Sequence, residues 1–167
     1  MRPLTPSELA SRDVTEGHAV EWRVERAGWV IIALILLTAL LGGLGNGPLA
    51  HASRSAGAAR LDFDRIVRHG SPVELRLAAG PEAMRNGRIL VSFDSAFSET
   101  ASFRHIQPAP VASSNTASRL TFEFSVPDGA TESTIVFALE HRRIGRIGGR
   151  LTVQEDIHLP FHQFVLP

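Results

Sequence analysis

The sequence contains no cysteine, no lysine and no tyrosine. Without cysteine the chain has no disulfide, no thiol nucleophile and no thiolate metal ligand. Because every one of its basic residues other than histidine is arginine, lysine chemistry such as a Schiff base or an amine general base is also excluded. These absences remove several classes of enzyme.

Excess charge of either sign is absent as well. The 17 basic and 17 acidic side chains balance to a formal net charge of zero. Nucleic-acid binding usually requires a clearly basic protein, so the sequence predicts no nucleic-acid partner. The chain also lacks the serine-nucleophile elbow, the P-loop, the dinucleotide-binding fingerprint and the zinc-protease motif. We therefore predict a protein that is not an enzyme and has no cofactor, no catalytic residues and no metal site.

One long uncharged segment is present, and it predicts a membrane anchor. Residues 27–46 contain no ionisable side chain and are mostly aliphatic. A helix of about 20 residues crosses the hydrocarbon core of a bilayer, and a lone spanning segment must be helical to satisfy its backbone. Residues 1–26 are expected to form a partly helical tail at the cytoplasmic interface, since Thr5-Pro6-Ser7-Glu8 resembles a capping box with proline at the first helical position.

An alternative interpretation of the same segment is a secretory signal. Ala50-His51-Ala52 fits a cleavage site, and cleavage there would release the rest of the chain. We favour the uncleaved anchor because the apolar segment is longer than a typical signal core. Three arginines before the span against two after it favour a cytoplasmic N-terminus and a C-terminal domain outside the membrane. These arginines are Arg12, Arg23, Arg26, Arg54 and Arg60.

The remainder of the chain predicts a small β domain. Residues 47–60, rich in small residues, are expected to be a tether, and residues 61–167 the domain. Short segments with alternating apolar and polar residues recur there, with turn signals at Asn86-Gly87 and Pro127-Asp128-Gly129 and a further turn at 145–149. The spacing predicts an all-β fold, an antiparallel immunoglobulin-like β-sandwich tethered to one N-terminal transmembrane helix.

The histidines of the domain form the first candidate site. His158 and His162 are four residues apart, and His141 and His105 lie elsewhere in the domain. Two residues four apart in a strand share a face, but Pro160 between them argues against a regular strand and no third ligand is evident. We therefore predict ordinary edge-strand histidines and no metal site, with a small-ligand or metal-binding sensor as the alternative function.

The arginines near residue 146 form the second candidate site. Four of them fall within nine residues on a predicted hairpin, the densest charge in the domain, and are expected to contact an acidic partner, anionic headgroups or another polyanion. A solvated hairpin that discourages edge-to-edge aggregation is the alternative. The candidate partner-binding residues are Arg142, Arg143, Arg146 and Arg150.

Three segments resemble a family of short bacterial proteins that have one N-terminal span and a small β domain. They are the sequence from Trp22 to Trp29, the segment from Gly42 to Leu49 with its Gly47-Pro48-Leu49 ending, and the C-terminal Gln163-Phe164-Val165-Leu166-Pro167. The resemblance implies an accessory or scaffold role at the bacterial inner membrane, beside a membrane-protein partner. It implies no reaction and no site residues, and it identifies neither the partner nor the oligomeric state.

Overall fold

The computed structural model describes the backbone of residues 6–40 and 50–167, and the side chains of residues 22–40 and 50–167. The chain divides into two compact units, Met1–Leu41 and Gly42–Pro167. The described part of the first unit is helical, and the second is a β-sandwich.

The helix α1 spans Pro6–Thr38. The predicted capping box includes Thr5, which lies outside the described residues, so the start of the helix is still a prediction. Near its middle the Arg26 guanidinium lies 4.5 Å from the centre of the Trp22 ring. In the segment from Trp29 onward the large apolar side chains are exposed on every side of the helix, Trp29 itself by 65 %.

Within the described residues, no helix combines the length and the apolar character needed to cross a membrane. Residues 41–46 of the predicted span lie outside the described part of the chain. The transmembrane anchor is therefore still a prediction.

The described part of the second unit, residues 50–167, contains two packed β-sheets, a short helix α2 that spans Ser95–Thr100, and a single 3₁₀ turn at Pro81–Ala83. Sheet one has the strand order β1-β2-β4-β9-β6, and sheet two the order β3-β11-β10-β5-β8-β7. All neighbouring strands are antiparallel except β3 and β11, which are parallel. The strands are β1 His51–Ala56, β2 Ala59–Asp64, β3 Ile66–Arg68, β4 Val73–Ala79, β5 Arg88–Asp94, β6 Ala101–Gln107, β7 Ala112–Asn115, β8 Arg119–Ser125, β9 Ser133–His141, β10 Gly145–Val153 and β11 Ile157–Leu166.

Alternation along the strands explains this architecture. In β11 every second residue from Leu159 to Val165 is buried and the residues between them are exposed. Two of the three predicted turns are present. Asn86 and Gly87 both have positive φ between the mutually hydrogen-bonded Arg85 and Arg88, and the turn at Pro127 contains Gly129 with positive φ. The prediction of an all-β sandwich is confirmed.

Two segments differ from the sequence-based prediction. Residues 51–60, expected to be part of a tether, form β1 and the start of β2, so the sandwich begins before residue 61. Residues 145–149, predicted as a turn, are instead the first half of β10, and the chain reverses at 142–144. Residues 51–60 are mostly small, and residues 145–149 include three glycines. Neither composition predicts a strand, because glycine and alanine are depleted in strands and the pairing of these segments depends on their neighbours.

Aromatic rings fill the space between the sheets. Phe93 of β5 lies at the centre, and its ring contacts four others with centroid separations of 5.0–6.4 Å. The helix α2 adds Phe97 to this cluster from the connection between β5 and β6. The rings around Phe93 are those of Phe97, Phe103, Phe122 and Phe137.

The two ends of the sandwich differ in the segments they carry. At one end, here named the Ala50 end, the Ala50 carbonyl accepts a hydrogen bond of 2.6 Å from the Arg65 N–H, and the Arg65 carbonyl accepts one of 2.6 Å from the Phe164 N–H. The connection 142–144 lies at the same end, because Gly145 pairs with Val165. The turn that contains Asp128 lies at the opposite end, named the Asp128 end.

Candidate functional site

The four candidate arginines occupy two neighbouring positions on the sandwich. Arg142 and Arg143 belong to the connection between β9 and β10, together with Ile144, and these three residues are named the arginine tip. Arg146 and Arg150 lie on β10, where their side chains point outward from the core. Only the first pair is therefore in a turn, and the second pair lies on a regular strand.

The residues paired with Arg146 and Arg150 are uncharged. Arg146 is opposite Phe164 on β11, and Arg150 is opposite Pro160. Between them Gly148 is opposite His162. The outward side of this strand pair, named the basic face, therefore carries two arginines, a histidine and an aromatic ring that is 50 % exposed.

Glycine at 148 brings the His162 ring close to the strand between the two arginines. A Cβ atom at this position would lie 3.0 Å from the His162 Nδ1 atom, so the imidazole covers the glycine. Residues two apart on a strand are about 6.6 Å apart, so the backbone positions of Arg146 and Arg150 lie on either side of Gly148, which the imidazole covers. This arrangement suits a group with negative charge.

The described salt bridges of the sandwich involve other residues than the four candidate arginines. Among the described residues, none of the four candidate arginines forms a salt bridge, although Arg142 donates a 3.4 Å hydrogen bond to the Ser102 hydroxyl. The described salt bridges join His51–Asp64, Arg60–Asp62, Arg76–Glu74, Arg85–Asp156, Arg88–Glu123 and Arg104–Glu140. Within the described residues, the positive charge of the basic face and of the arginine tip is therefore not paired with an acidic side chain.

The histidines considered as a metal site do not converge. His141 points into the sandwich, whereas His162 and His158 lie on the outer side of β11, and His158 Nδ1 is 3.1 Å from the Thr152 hydroxyl. His105 belongs to β6 in the other sheet. Within residues 22–40 and 50–167, no three metal-ligating side chains of the His, Asp and Glu types gather at one place.

His141 and Gln163 form a buried polar pair that the sequence did not predict. His141 is 2 % and Gln163 1 % exposed, and the His141 Nε2–H donates to the Gln163 Oε1 atom at 2.9 Å. This direction follows because the Gln163 amide nitrogen donates at 2.8 Å to the Asp64 carbonyl. The His141 Nδ1 atom has no hydrogen-bond partner among the described residues. Sequence alternation places Gln163 on the inner side of β11, but nothing in the sequence identifies its partner.

Burial makes this pair sensitive to acid. Burial lowers the pKa of His141 below its ordinary value of about 6.5, and the hydrogen bond with Gln163 opposes the shift only in part. The unfolded chain therefore takes up a proton at His141 at a higher pH than the folded one. The contribution of His141 to stability is complete above about pH 6.5 and declines as the pH falls below it.

We expect His141→Gln to flatten the pH dependence of the free energy of unfolding. Between about pH 7.5 and pH 5.5, the wild type should lose stability by up to about 1.4 kcal/mol per pH unit more than this variant. Urea denaturation at several pH values, followed by circular dichroism, measures the slope. His162→Gln, which removes an exposed imidazole from the same sheet, is the control and should keep the wild-type slope. Equal slopes for all three proteins would contradict the assignment.

An open cleft of about 450 Å³ lies on the outer side of sheet one. Its charged side chains pair with one another, as in Arg60 with Asp62 at 3.0 Å and Arg76 with Glu74 at 3.7 Å. Ligand sites are typically enclosed and mostly apolar, with a few convergent polar groups. A cleft whose charges are already paired offers less to a ligand than the basic face.

Comparison with known proteins gave matches only among solved structures. No family model and no curated protein matches the chain. Six chains of solved structures match. One is described as the cohesin module of a family 33 glycoside hydrolase from Clostridium perfringens ATCC13124. It has 12 % sequence identity and a TM-score of 0.45, over 67 % of this chain and 98 % of the other.

Proposed function

We propose that this protein is a non-enzymatic accessory or scaffold protein of the bacterial inner membrane, in which residues 27–46 are the anchor. Its sandwich lies outside the cytoplasm and binds another membrane or envelope component. The basic face is the binding surface, and the matching surface of the partner is acidic. The observation that carries this proposal is the outward placement of Arg146 and Arg150 without a salt bridge among the described residues.

Exposure of apolar side chains along α1 supports the anchor. Side chains from Trp29 to Leu37 are aliphatic or aromatic for the most part, and they are exposed all round the helix. A helix that is apolar on every side is typical of a buried or membrane-spanning segment, because a surface helix of a soluble domain has one polar face. The sequence continues this character to residue 46 without a charge.

The strand order supports the finer assignment of an immunoglobulin-like sandwich. In that fold a sheet with the order ABED faces a sheet that contains GFC, and the variable type adds two strands beside C. Here β2-β4-β9-β6 faces β11-β10-β5, and the hairpin β7–β8 lies beside β5. The chain visits β6 before this hairpin, which differs from the immunoglobulin path. Such sandwiches commonly serve as binding modules, an analogy that rests on the fold alone.

Charge and apolar surface on the basic face together support binding of an acidic protein. Aromatic residues and arginine are enriched where protein interfaces are strongest, and here the exposed Phe164 ring lies directly opposite Arg146. An acidic partner gains from both features, because the arginines attract its carboxylates and the ring provides apolar contact area.

Replacing all four candidate arginines by serine should reduce recovery of the partner about tenfold or more, since charged contacts at an interface contribute to affinity and to the rate of association. Arg146→Ser with Arg150→Ser should account for most of this loss. The measurement is affinity purification of the tagged full chain from solubilised membranes, with a photo-crosslinking amino acid in place of Phe164. Cross-linked peptides should come from an acidic segment of one protein, and high salt should abolish them.

The matched control removes the same charge from the opposite side of the sandwich. Arg60→Ser with Arg76→Ser eliminates two arginines from the outer side of sheet one, and these residues are already paired with acids. Recovery of the partner should remain at the wild-type level. A partner that is recovered equally with all variants, or that cross-links from Thr134 on sheet one as well as from position 164, refutes the basic face as its binding surface.

A further inference from the structure

The arginine tip has a composition that differs from that of the basic face. Ile144 is 59 % exposed and lies between two arginines in the chain and Arg146 on β10. An exposed apolar side chain surrounded by arginines is typical of surfaces that bind the interface of a bilayer, where the apolar group enters the headgroup layer and the cations contact anionic lipids.

Acidic residues at the Ala50 end reduce this positive charge only in part. Asp64 pairs with His51, and Glu140 pairs with Arg104 at 2.7 Å. Glu99, exposed on α2, also belongs to this end, because the Thr100 carbonyl accepts a hydrogen bond from the Arg142 N–H. Several arginines of the same end form no salt bridge within the described residues, among them Arg65, Arg68, Arg142 and Arg143.

In an anchored protein, the short connection from residue 46 to Ala50 limits how far the Ala50 end of the sandwich can lie from the bilayer. Ala50 is buried in the sandwich, and the predicted span ends at residue 46. Four residues of fully extended chain reach at most about 14 Å. The polar layer outside the hydrocarbon core is about 5–8 Å thick on each side. In an anchored protein Ala50 can therefore lie no farther than about 14 Å from the hydrocarbon core, so that the Ala50 end can reach the headgroups, whose charge acts over a Debye length of about 8 Å at physiological salt.

We propose that the arginine tip docks onto anionic lipid headgroups, with Ile144 inserted between them. The inference rests on the anchor of the proposed function and adds a second, lipid-facing surface to the protein-facing basic face. Because β10 begins at the tip, docking holds the sandwich upright on the bilayer and leaves Arg150 and His162 farther from the membrane, accessible to a protein partner.

The absence of cysteine allows a direct test with single labels on the full chain. His69→Cys places a fluorophore at the Ala50 end without altering the tip, since the His69 N–H donates to the Leu166 carbonyl there. Asp128→Cys places the same fluorophore at the opposite end. Each labelled protein is reconstituted into vesicles of phosphatidylcholine with or without phosphatidylglycerol, and a nitroxide on the lipid headgroup quenches fluorophores near the surface.

We expect strong quenching at position 69 in vesicles with phosphatidylglycerol, weak quenching in phosphatidylcholine alone, and little at position 128 in either. Each basic residue near an anionic surface strengthens binding roughly fivefold, so Arg142→Ser with Arg143→Ser should weaken docking roughly 25-fold. Ile144→Ser should weaken it further. Arg85→Ser with Arg88→Ser removes the same charge from the Asp128 end and should leave the quenching unchanged.

Flotation of the same samples separates the two proposals. If the chain does not float with the vesicles, the anchor fails and docking fails with it. If the chain floats, and position 69 is quenched no more than position 128 or equally in both lipids, docking alone is overturned and the anchored binding module stands.

Discussion

Replacing Phe93 by alanine is expected to lower the free energy of unfolding of the sandwich by about 3–5 kcal/mol. The Phe93 ring is fully buried and contacts four other phenylalanine rings, from both sheets and from α2. Its removal leaves a cavity that these rigid rings cannot fill by moving together. A loss of this size is a large fraction of the stability of a small domain, so the variant should be partly unfolded at moderate temperature.

The control for this prediction is Phe164→Ala, which truncates the same type of side chain at an exposed position of the basic face. It should change the free energy of unfolding by less than about 0.5 kcal/mol. Both tryptophans, Trp22 and Trp29, are in α1, so intrinsic tryptophan fluorescence does not report on the sandwich. Urea denaturation followed through the β-sheet band of circular dichroism is the suitable measurement. Similar losses in the two variants would contradict the central position of Phe93.

A methyl group added at Gly149 is the second large perturbation. Gly149 faces the core, and a Cβ atom there would lie 2.8 Å from carbon atoms of both the Phe97 and the Phe161 rings. These contacts are too short for either ring to accept without moving, so Gly149→Ala should destabilise the sandwich by about 1–3 kcal/mol. The same denaturation experiment measures the effect.

The adjacent glycine provides the control. In Gly148→Ala the new methyl group lies outside the core, 3.0 Å from the exposed His162 ring, which can turn away. We expect a change within about 0.5 kcal/mol. If Gly149→Ala is as well tolerated as Gly148→Ala, the packing of α2 against β10 is not as tight as the structure shows.

Alternating apolar residues predict most of the strands, because a side chain that repeats every second residue can face the core only in an extended chain. This signal is clear in β8 and β9, and the turn chemistry of Asn86-Gly87 and Pro127-Asp128-Gly129 locates two reversals. It fails in β7, whose residues are small and exposed, and in β10, where glycines at 145, 148 and 149 look like a turn. The glycine at 149 is required by rings that lie far away in the sequence.

The candidate arginines could be identified from the sequence, but their division into two surfaces could not. That division depends on where the chain reverses, and the reversal at 142–144 separates Arg143 from Arg146. Alternation along β9 places His141 on the inner face after Leu139, but its pairing with Gln163 and its contact with the Phe97 ring, whose centroid is 6.0 Å away, could not be predicted from the sequence. A cluster of charged residues can be predicted from the sequence, whereas the surface on which each side chain lies depends on tertiary contacts.

The location of β11 between β3 and β10 has a consequence for biosynthesis. The side-chain amide of Gln163 donates a hydrogen bond to the backbone carbonyl of Asp64, which lies 99 residues earlier in the chain, and Phe164 pairs with Ile66. Contacts this distant in sequence form slowly, because the entropy of closing a long loop opposes them. Until β11 has been synthesised, β3 and β10 therefore lack their common neighbour, and aromatic side chains of the core remain exposed. We expect a nascent chain that is stalled before β11 to be prone to aggregation and proteolysis.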